Sequence, residues 1–371
     1  MRAKLWTVVV VLAVVQFTIG CVSSVEYRTP LGSEKIRTDW LFIYYMPYDN
    51  NLSGYGETII KKIGDNIKSK NVIATIQAEF ADSIGMKRYI LTNKGITVTS
   101  TDDDQSASIH TYQEYLKWVK EKVEYKKLAV VFLDHGGKLD EICLDEKPIN
   151  QFLKIDDLKS ALINILGKRS IDLLFLQVCT KGVMEALYEF KDTAKYTLCS
   201  QIELGAPNDY YQGLFSAFSK RTINTGYDVA ELIVNHEKLR MYNSYTLVDN
   251  TKMDNVFSLF SDLIIETKNM NIQLSDKPFD IYYAHDRYWD IISFFEKMPE
   301  TECKIRLMEF IKSELIVFHK ISRLPFQPGI MKNHSGLSIC GLMDNKYDKL
   351  EFYQLLQPIR ELYRQYEERE L

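Results

Sequence analysis

The sequence contains no Cys-x-x-Cys pair and no cluster of cysteine with histidine, so no segment has the ligand spacing of a structural zinc site. Basic residues are not in excess. Against 46 Lys and Arg stand 50 Asp and Glu, a formal net charge of −4, which excludes a nucleic-acid binder working through bulk charge. There is no clear internal repeat and no low-complexity tract, which argues against a solenoid. The apolar run at 5–15 is too short, and too soon broken by Gln16, for a comfortable membrane span. What the chain does have is core material: 46% of its 371 residues are hydrophobic, enough for one large domain or two of ordinary size.

The N-terminus reads as a targeting segment. Arg2 and Lys4 precede the apolar run, and "QFTIGC" ends at Cys21. Gly20 before Cys21 resembles a bacterial lipoprotein processing site, although Thr18 stands where such sites usually carry Leu. Residues 1–20 are therefore expected to be a signal peptide, with Cys21 the lipid attachment site and membrane contact. Simple secretion and an uncleaved anchor are the alternatives. Loss of Arg2 and Lys4 would take the formal charge from −4 to −6. Residues 21–38 are polar, lack periodicity and read as a tether. Five cysteines then remain, and an odd number in an exported chain leaves at least one thiol free unless it pairs with another chain.

From residue 39 onward, buried-strand and helix patterns alternate. "DWLFIYYM" (39–46), "NVIATIQAEF" (71–80), "KLAVVFLDHG" (127–136), "SIDLLFLQVC" (170–179) and "YTLCSQ" (196–201) read as strands. Helical spacing covers about 55–69, 111–125, 155–166 and 182–191, and "KRYILTNKGITV" (87–98) is hairpin-like. This order predicts an α/β fold, a mostly parallel sheet with helices on both faces. Beyond about residue 222 the apolar stripes at 227–242, 253–268, 286–298 and 302–319 predict a mainly helical region, 223–371, packed on the sheet domain of 39–222.

Two strands end on chemically able residues, His135 and Cys179. Sites in open parallel sheets form at the carboxyl ends of strands, and adjacent strands lie about 4.8 Å apart. If these two strands are neighbours, imidazole and thiol face one groove. A free cysteine thiol has a pKa of about 8.5, so a nearby imidazole and a helix start at 181–182 are expected to favour thiolate. Gly136 and Gly137 permit a sharp turn. The amides of Gly136 and Cys179 are then candidates for an oxyanion hole. Alone, each residue has a plainer reading: Cys179 as a small core hydrophobe and His135 as a structural histidine. The pairing argues against both. His135 lies 44 residues before Cys179, close to the caspase pattern of a histidine about 50 residues before Gln-Ala-Cys-x-Gly. None of the other five histidines closes such a strand before a Gly-Gly pair.

These segments resemble the clostripain-like cysteine peptidases, relatives of caspases, legumains and gingipains. "WLFIYYMPYDNNLSGYGETII" is similar to the family's opening strand, Asp-Asn turn and helix. "VVFLDHGG" and "LLFLQVCTKGVMEALYEF" are similar to its histidine and nucleophile segments, and "ICLDE", "FLKIDDLKSAL", "SYTLVDNTKMDNVFSLFSDL" and "HSGLSICGL" to other landmarks, over roughly 38–355. The resemblance implies a caspase-like α/β/α sandwich, a His135–Cys179 dyad, an oxyanion hole from Gly136 and Cys179, and hydrolysis of polypeptide through a thioester. Family members that cut after Arg or Lys commonly carry Asp two residues before the nucleophile. Here that position is Gln177, which also reads as an ordinary strand amide; Asp209 or Glu203 would have to supply the charge instead. The family is often cut in the loop after the histidine strand. Lys147 precedes Pro148, so no obligatory cut is expected there, and Lys138 and Lys154 are the other basic positions. No cofactor is expected beyond calcium, which the resemblance allows; "TDDDQ" (101–105) and "DEICLDE" (140–146) offer carboxylates but also read as solvated loops. The alternative function is a catalytically inactive envelope lipoprotein of the same fold that binds peptides or glycans.

Overall fold

The computed structural model describes residues 27–28, 34–147, 150–237, 244–268, 270, 272–321 and 334–370. The expected signal peptide, Cys21 and residues 22–26 and 29–33 of the tether lie outside them.

The chain runs β1 (Tyr27–Arg28), β2 (Ile36–Tyr48), α1 (Ser53–Asn66), β3 (Val72–Phe80), β4 (Lys87–Thr92), β5 (Gly95–Ser100), α2 (Ile109–Lys122) and β6 (Val123–Leu133). A small hairpin, β7 (Glu141–Asp145) and β8 (Gln151–Lys154), leads into α3 (Ile155–Leu166). Then come β9 (Ile171–Gln177), α4 (Met184–Glu189), β10 (Ala194–Ser200), α5 (Tyr211–Ala217), α6 (Gly226–His236), β11 (Ser244–Asp249) and α7 (Met253–Thr267). The C-terminal part holds β12 (Asp280–Tyr283), β13 (Asp286–Asp290), α8 (Ile291–Glu296), α9 (Glu302–Phe310), β14 (Ile316–Ile321), β15 (Ser338–Cys340), α10 (Glu351–Leu355) and α11 (Gln357–Glu370).

Ten strands form one sheet in the order β1-β5-β4-β3-β2-β6-β9-β10-β11-β14. Its centre, β3-β2-β6-β9-β10, is parallel throughout, and antiparallel strands extend it on both sides. The two-residue period of a strand sends alternate side chains of β2 to opposite faces. Leu41, Ile43 and Tyr45 join a core with α2, α3, α4 and α7. Trp40, Phe42, Tyr44 and Met46 join a second core with α1, α5 and α6. The result is the expected α/β/α sandwich, and no helix among the described residues is long and apolar enough to cross a membrane.

The region after 222 is more mixed than its apolar stripes suggest. The main sheet continues through β11 and β14, and a second sheet of order β12-β13-β15 lies beyond it. The stretches expected as helices at 286–298 and 302–319 each divide, the first into β13 and α8, the second into α9, a π-helical turn Ile311–Leu315 and β14. Short apolar runs fit either period, and pairing decides between them. Phe318 lies opposite Leu247 of β11, and Trp289 opposite Ile339 of β15.

Candidate active site

β6 and β9 are parallel neighbours, with Leu133 opposite Gln177 in register. His135 and Cys179 follow these strand ends at equal distance, so the two segments leave the sheet side by side. A Cβ built on Gly136 would stand 2.1 Å from the Cys179 carbonyl oxygen, so only glycine fits where the two loops touch. Gly137 then turns the loop with φ +60°. On the other side of the contact, buried Thr180 has φ +50°, a conformation rare for a β-branched residue. Its amide donates to the Ile202 carbonyl at 3.1 Å. Backbone strain of this kind persists only where surrounding bonds hold it.

The histidine is oriented from the end of β2. His135 Nε2 lies 2.8 Å from Asn51 Oδ1. An amide oxygen accepts only, so Nε2 carries the proton and Nδ1 is the basic nitrogen. One residue earlier, Asn50 Nδ2 donates to Asp134 Oδ1 at 2.8 Å, tying the β2 turn to the end of β6. Asp134 also accepts from the Leu144 amide, and burial pushes its carboxyl well above the ordinary range. Burial likewise lowers His135 below the usual imidazole value, only partly offset by Glu146.

Cys179 is partly exposed. Its Sγ accepts from the Leu204 amide at 3.3 Å, and the Tyr283 hydroxyl lies in hydrogen-bonding reach of both this sulfur and the Gly136 amide. Burial raises the thiol; the Leu204 backbone, Tyr283 and Lys181 oppose that shift, and Glu203 adds to it. The expected thiolate therefore finds less support than its neighbours promised. The helix begins at Met184 rather than 181–182 and has six residues, and burial disfavours the charged imidazole. Both shifts run toward the uncharged forms of Cys179 and His135.

Comparison with known proteins fits this fold. The clostripain family model matches residues 44–317. The chain belongs to the clostripain family. It is a cysteine-type endopeptidase, and its substrates are polypeptides. A secreted C11 cysteine protease from Bacteroides thetaiotaomicron, solved with an irreversible peptide inhibitor, superposes with a TM-score of 0.70 at 15% identity, over 86% of this chain and 99% of that one. An inactive zymogen C11 protease from Parabacteroides distasonis superposes at 0.65, with 18% identity over 88% and 99%. No curated protein matches the sequence.

In this clostripain-family chain the position two before the cysteine is closed. Gln177 is buried, its Nε2 donating to Asn208 Oδ1 at 2.6 Å and Tyr211 at 3.0 Å while its Oε1 accepts from Tyr210 at 2.7 Å. Asp209 is taken by Lys62 at 3.0 Å. It lines a cleft of about 780 Å³ with Gly213, Lys220, Arg221 and His236, and neither His135 nor Cys179 borders that cleft. Glu203 is the exposed carboxylate that acts on Cys179. Lys147 donates its amide to Asp49 Oδ2 at 3.0 Å and its Nζ to the Ala81 carbonyl at 3.3 Å; Pro148 lies outside the described residues. All five described cysteines are unpaired.

The acidic stretches do not fit a calcium cage. Asp103 accepts from Thr111 and the Gln105 amide, and Asp140 and Glu141 pair with Lys154. Among the described residues, no group of three His, Cys, Asp or Glu is placed to hold a metal ion. The residues that sequence reading missed are Asn51, Lys181 and Tyr283. Asn51 alone carried a signal, its place in the Asp-Asn turn.

Proposed function

We propose that the chain hydrolyses peptide bonds with Cys179 as nucleophile and His135 as its base. The observation that carries this reading is the close seat of Gly136 against Cys179 at the ends of two paired strands. Starting from the neutral pair, His135 Nδ1 takes the Sγ proton as sulfur attacks the substrate carbonyl. Negative charge develops on the carbonyl oxygen, and the Gly136 and Cys179 amides are the donors for it. His135 returns the proton to the leaving amine, and a thioester remains. Water, deprotonated by the same imidazole, then releases the acid and the thiol.

Side-chain preference at the cleaved position follows from the missing acid. Gln177 is neutral and its hydrogen bonds are spent, so a basic side chain gains no buried carboxylate. Glu203, exposed and screened, gives a weaker preference for Lys or Arg. A fluorogenic peptide library varied at this position, run on wild type and Cys179→Ala, tests both points. The variant is expected to lose roughly 10³-fold or more of the activity, and wild type to cut after neutral as well as basic residues. Full activity in the variant would refute the dyad.

We further read the N-terminal segment as an export signal with Cys21 lipidated, holding the enzyme on the bacterial cell envelope. The secreted relative is consistent with export. Palmitate labelling that survives Cys21→Ser would contradict the anchor. No obligatory cut is proposed at Lys147, and active enzyme beginning at Pro148 would overturn that.

A further inference from the structure

Lys181 has no access to solvent, and among the described residues no carboxylate lies within ion-pair distance of its ammonium group. A buried charge is expensive unless its hydrogen bonds are made. Here they are made to the loop that carries the Gly136 amide. Lys181 Nζ donates to the Lys138 carbonyl at 2.9 Å and to the Gly137 carbonyl at 3.3 Å.

The other ends of the same two peptide groups are also held. The Lys138 amide donates to Glu141 Oε2 at 3.0 Å, and the Leu139 amide donates to Asp286 Oδ2 at 2.8 Å. Each of these peptide planes is therefore gripped at its carbonyl by Lys181 and at its N–H by a carboxylate. The clamp begins directly after the positive-φ turn at Gly137. Fixing the planes beyond that turn fixes how Gly136 approaches Cys179. Cys179 itself stands two residues before Lys181, so one side chain spans the gap between the nucleophile segment and the histidine loop.

We propose that Lys181 is a positioning residue for the peptidase reaction, holding the 136–139 loop in register with Cys179 and setting a positive charge behind the reacting sulfur. The inference rests on the reading of Cys179 as nucleophile. The ionisable groups facing Lys181 are Cys179, Asp286, Glu141 and Asp140, all of which favour its charged form, while burial lowers it to about 8. Its charge is present at neutral pH and is lost as pH rises through that value.

The test compares wild type, Lys181→Met and Lys181→Arg. For Lys181→Met, kcat on a fluorogenic peptide should fall at least tenfold with KM within about threefold. The pH midpoint of Cys179 alkylation by iodoacetamide should move upward, because an opposing positive charge is gone. The melting temperature should hold or rise, since a buried charge has been removed. In wild type kcat should decline above about pH 8, and Lys181→Arg should keep part of the activity while moving that decline upward. Unchanged kcat and alkylation in a folded Lys181→Met would overturn the proposal. If that variant does not fold, an alkaline limb identical in wild type and Lys181→Arg would overturn it equally. Cys179→Ala separates the two readings: if that variant stays active, the nucleophile assignment fails and this inference with it, whereas a dead Cys179→Ala beside an unaffected Lys181→Met removes the inference alone.

Discussion

Lys181 and Arg360 are both cations without solvent access, and the protein treats them in opposite ways. Arg360 pairs with buried Glu185 at 3.1 Å, also donates to the carbonyls of Cys340 and Tyr353, and lies 3.6 Å over the Tyr353 ring. Glu185 in turn accepts from the Cys340 amide. The pair joins α4, β15, α10 and α11, and its charges cancel. Among the described residues Lys181 hydrogen-bonds to carbonyls alone; Asp286, Glu141 and Asp140 face it beyond ion-pair distance, and its charge also acts on the thiol beside it. Arg360 is bound to a carboxylate and ties helices to a strand; Lys181 is bound to peptide carbonyls and ties one loop to another.

Breaking the first arrangement should give the largest effect on stability. Arg360→Met leaves Glu185 buried without its cation and is expected to cost about 3–5 kcal/mol, read by urea denaturation. Adding Glu185→Gln should recover part of that loss; a further drop in the double variant would deny that the pair is what matters. Glu79 is the acidic counterpart of Lys181, a buried carboxyl with no ion-pair partner among the described residues. Burial first, then Asp145 and Asp49, raise it to about 8, with Ser106 opposing. Its stabilising proton is fully present below the unfolded value near 4.5 and is lost as pH rises through about 8. Glu79→Gln cannot lose it, so between those pH values the variant should gain on wild type, by more than about 1 kcal/mol at pH 8. Parallel stability curves would remove Glu79 from the comparison.

Two residues at the site sharpen the contrast from the other side, since they should change rate and spare stability. Asn51→Ala frees His135 Nε2 and should lower kcat roughly tenfold with little change in melting temperature. Tyr283→Phe removes a hydrogen bond that lowers the Cys179 thiol. Alkylation near neutral pH should slow by a few-fold, and a faster reaction would mean that the phenol chiefly shields the sulfur.

The sequence is most legible where one segment answers to one environment. The near-continuous apolar runs at 128–133 and 173–177 read as strands covered on two faces, and His135 and Cys179 follow directly. Helix 155–166 shows its period and its acidic first turn at the bounds found. Legibility fails where distant segments decide. Residues 316–318 carry a helical stripe but pair with β11, and Tyr283 reaches Cys179 from a hairpin that no local pattern ties to it. Lys181 is a lysine in a polar turn until the loop at 137–138 folds over it. Gln177 was readable as a departure, but its closure by Asn208, Tyr210 and Tyr211 depends on side chains some thirty residues on.

The most direct measurement is mass-spectrometric mapping of the adduct left by a peptidyl acyloxymethyl ketone on wild type, His135→Ala and Cys179→Ala. Cys303 provides the internal control, as a second partly exposed thiol away from the site. The account predicts one modification, on Cys179, much slowed in His135→Ala and absent in Cys179→Ala. Equal labelling of Cys303, or labelling of Cys179 at the same rate without His135, would contradict it.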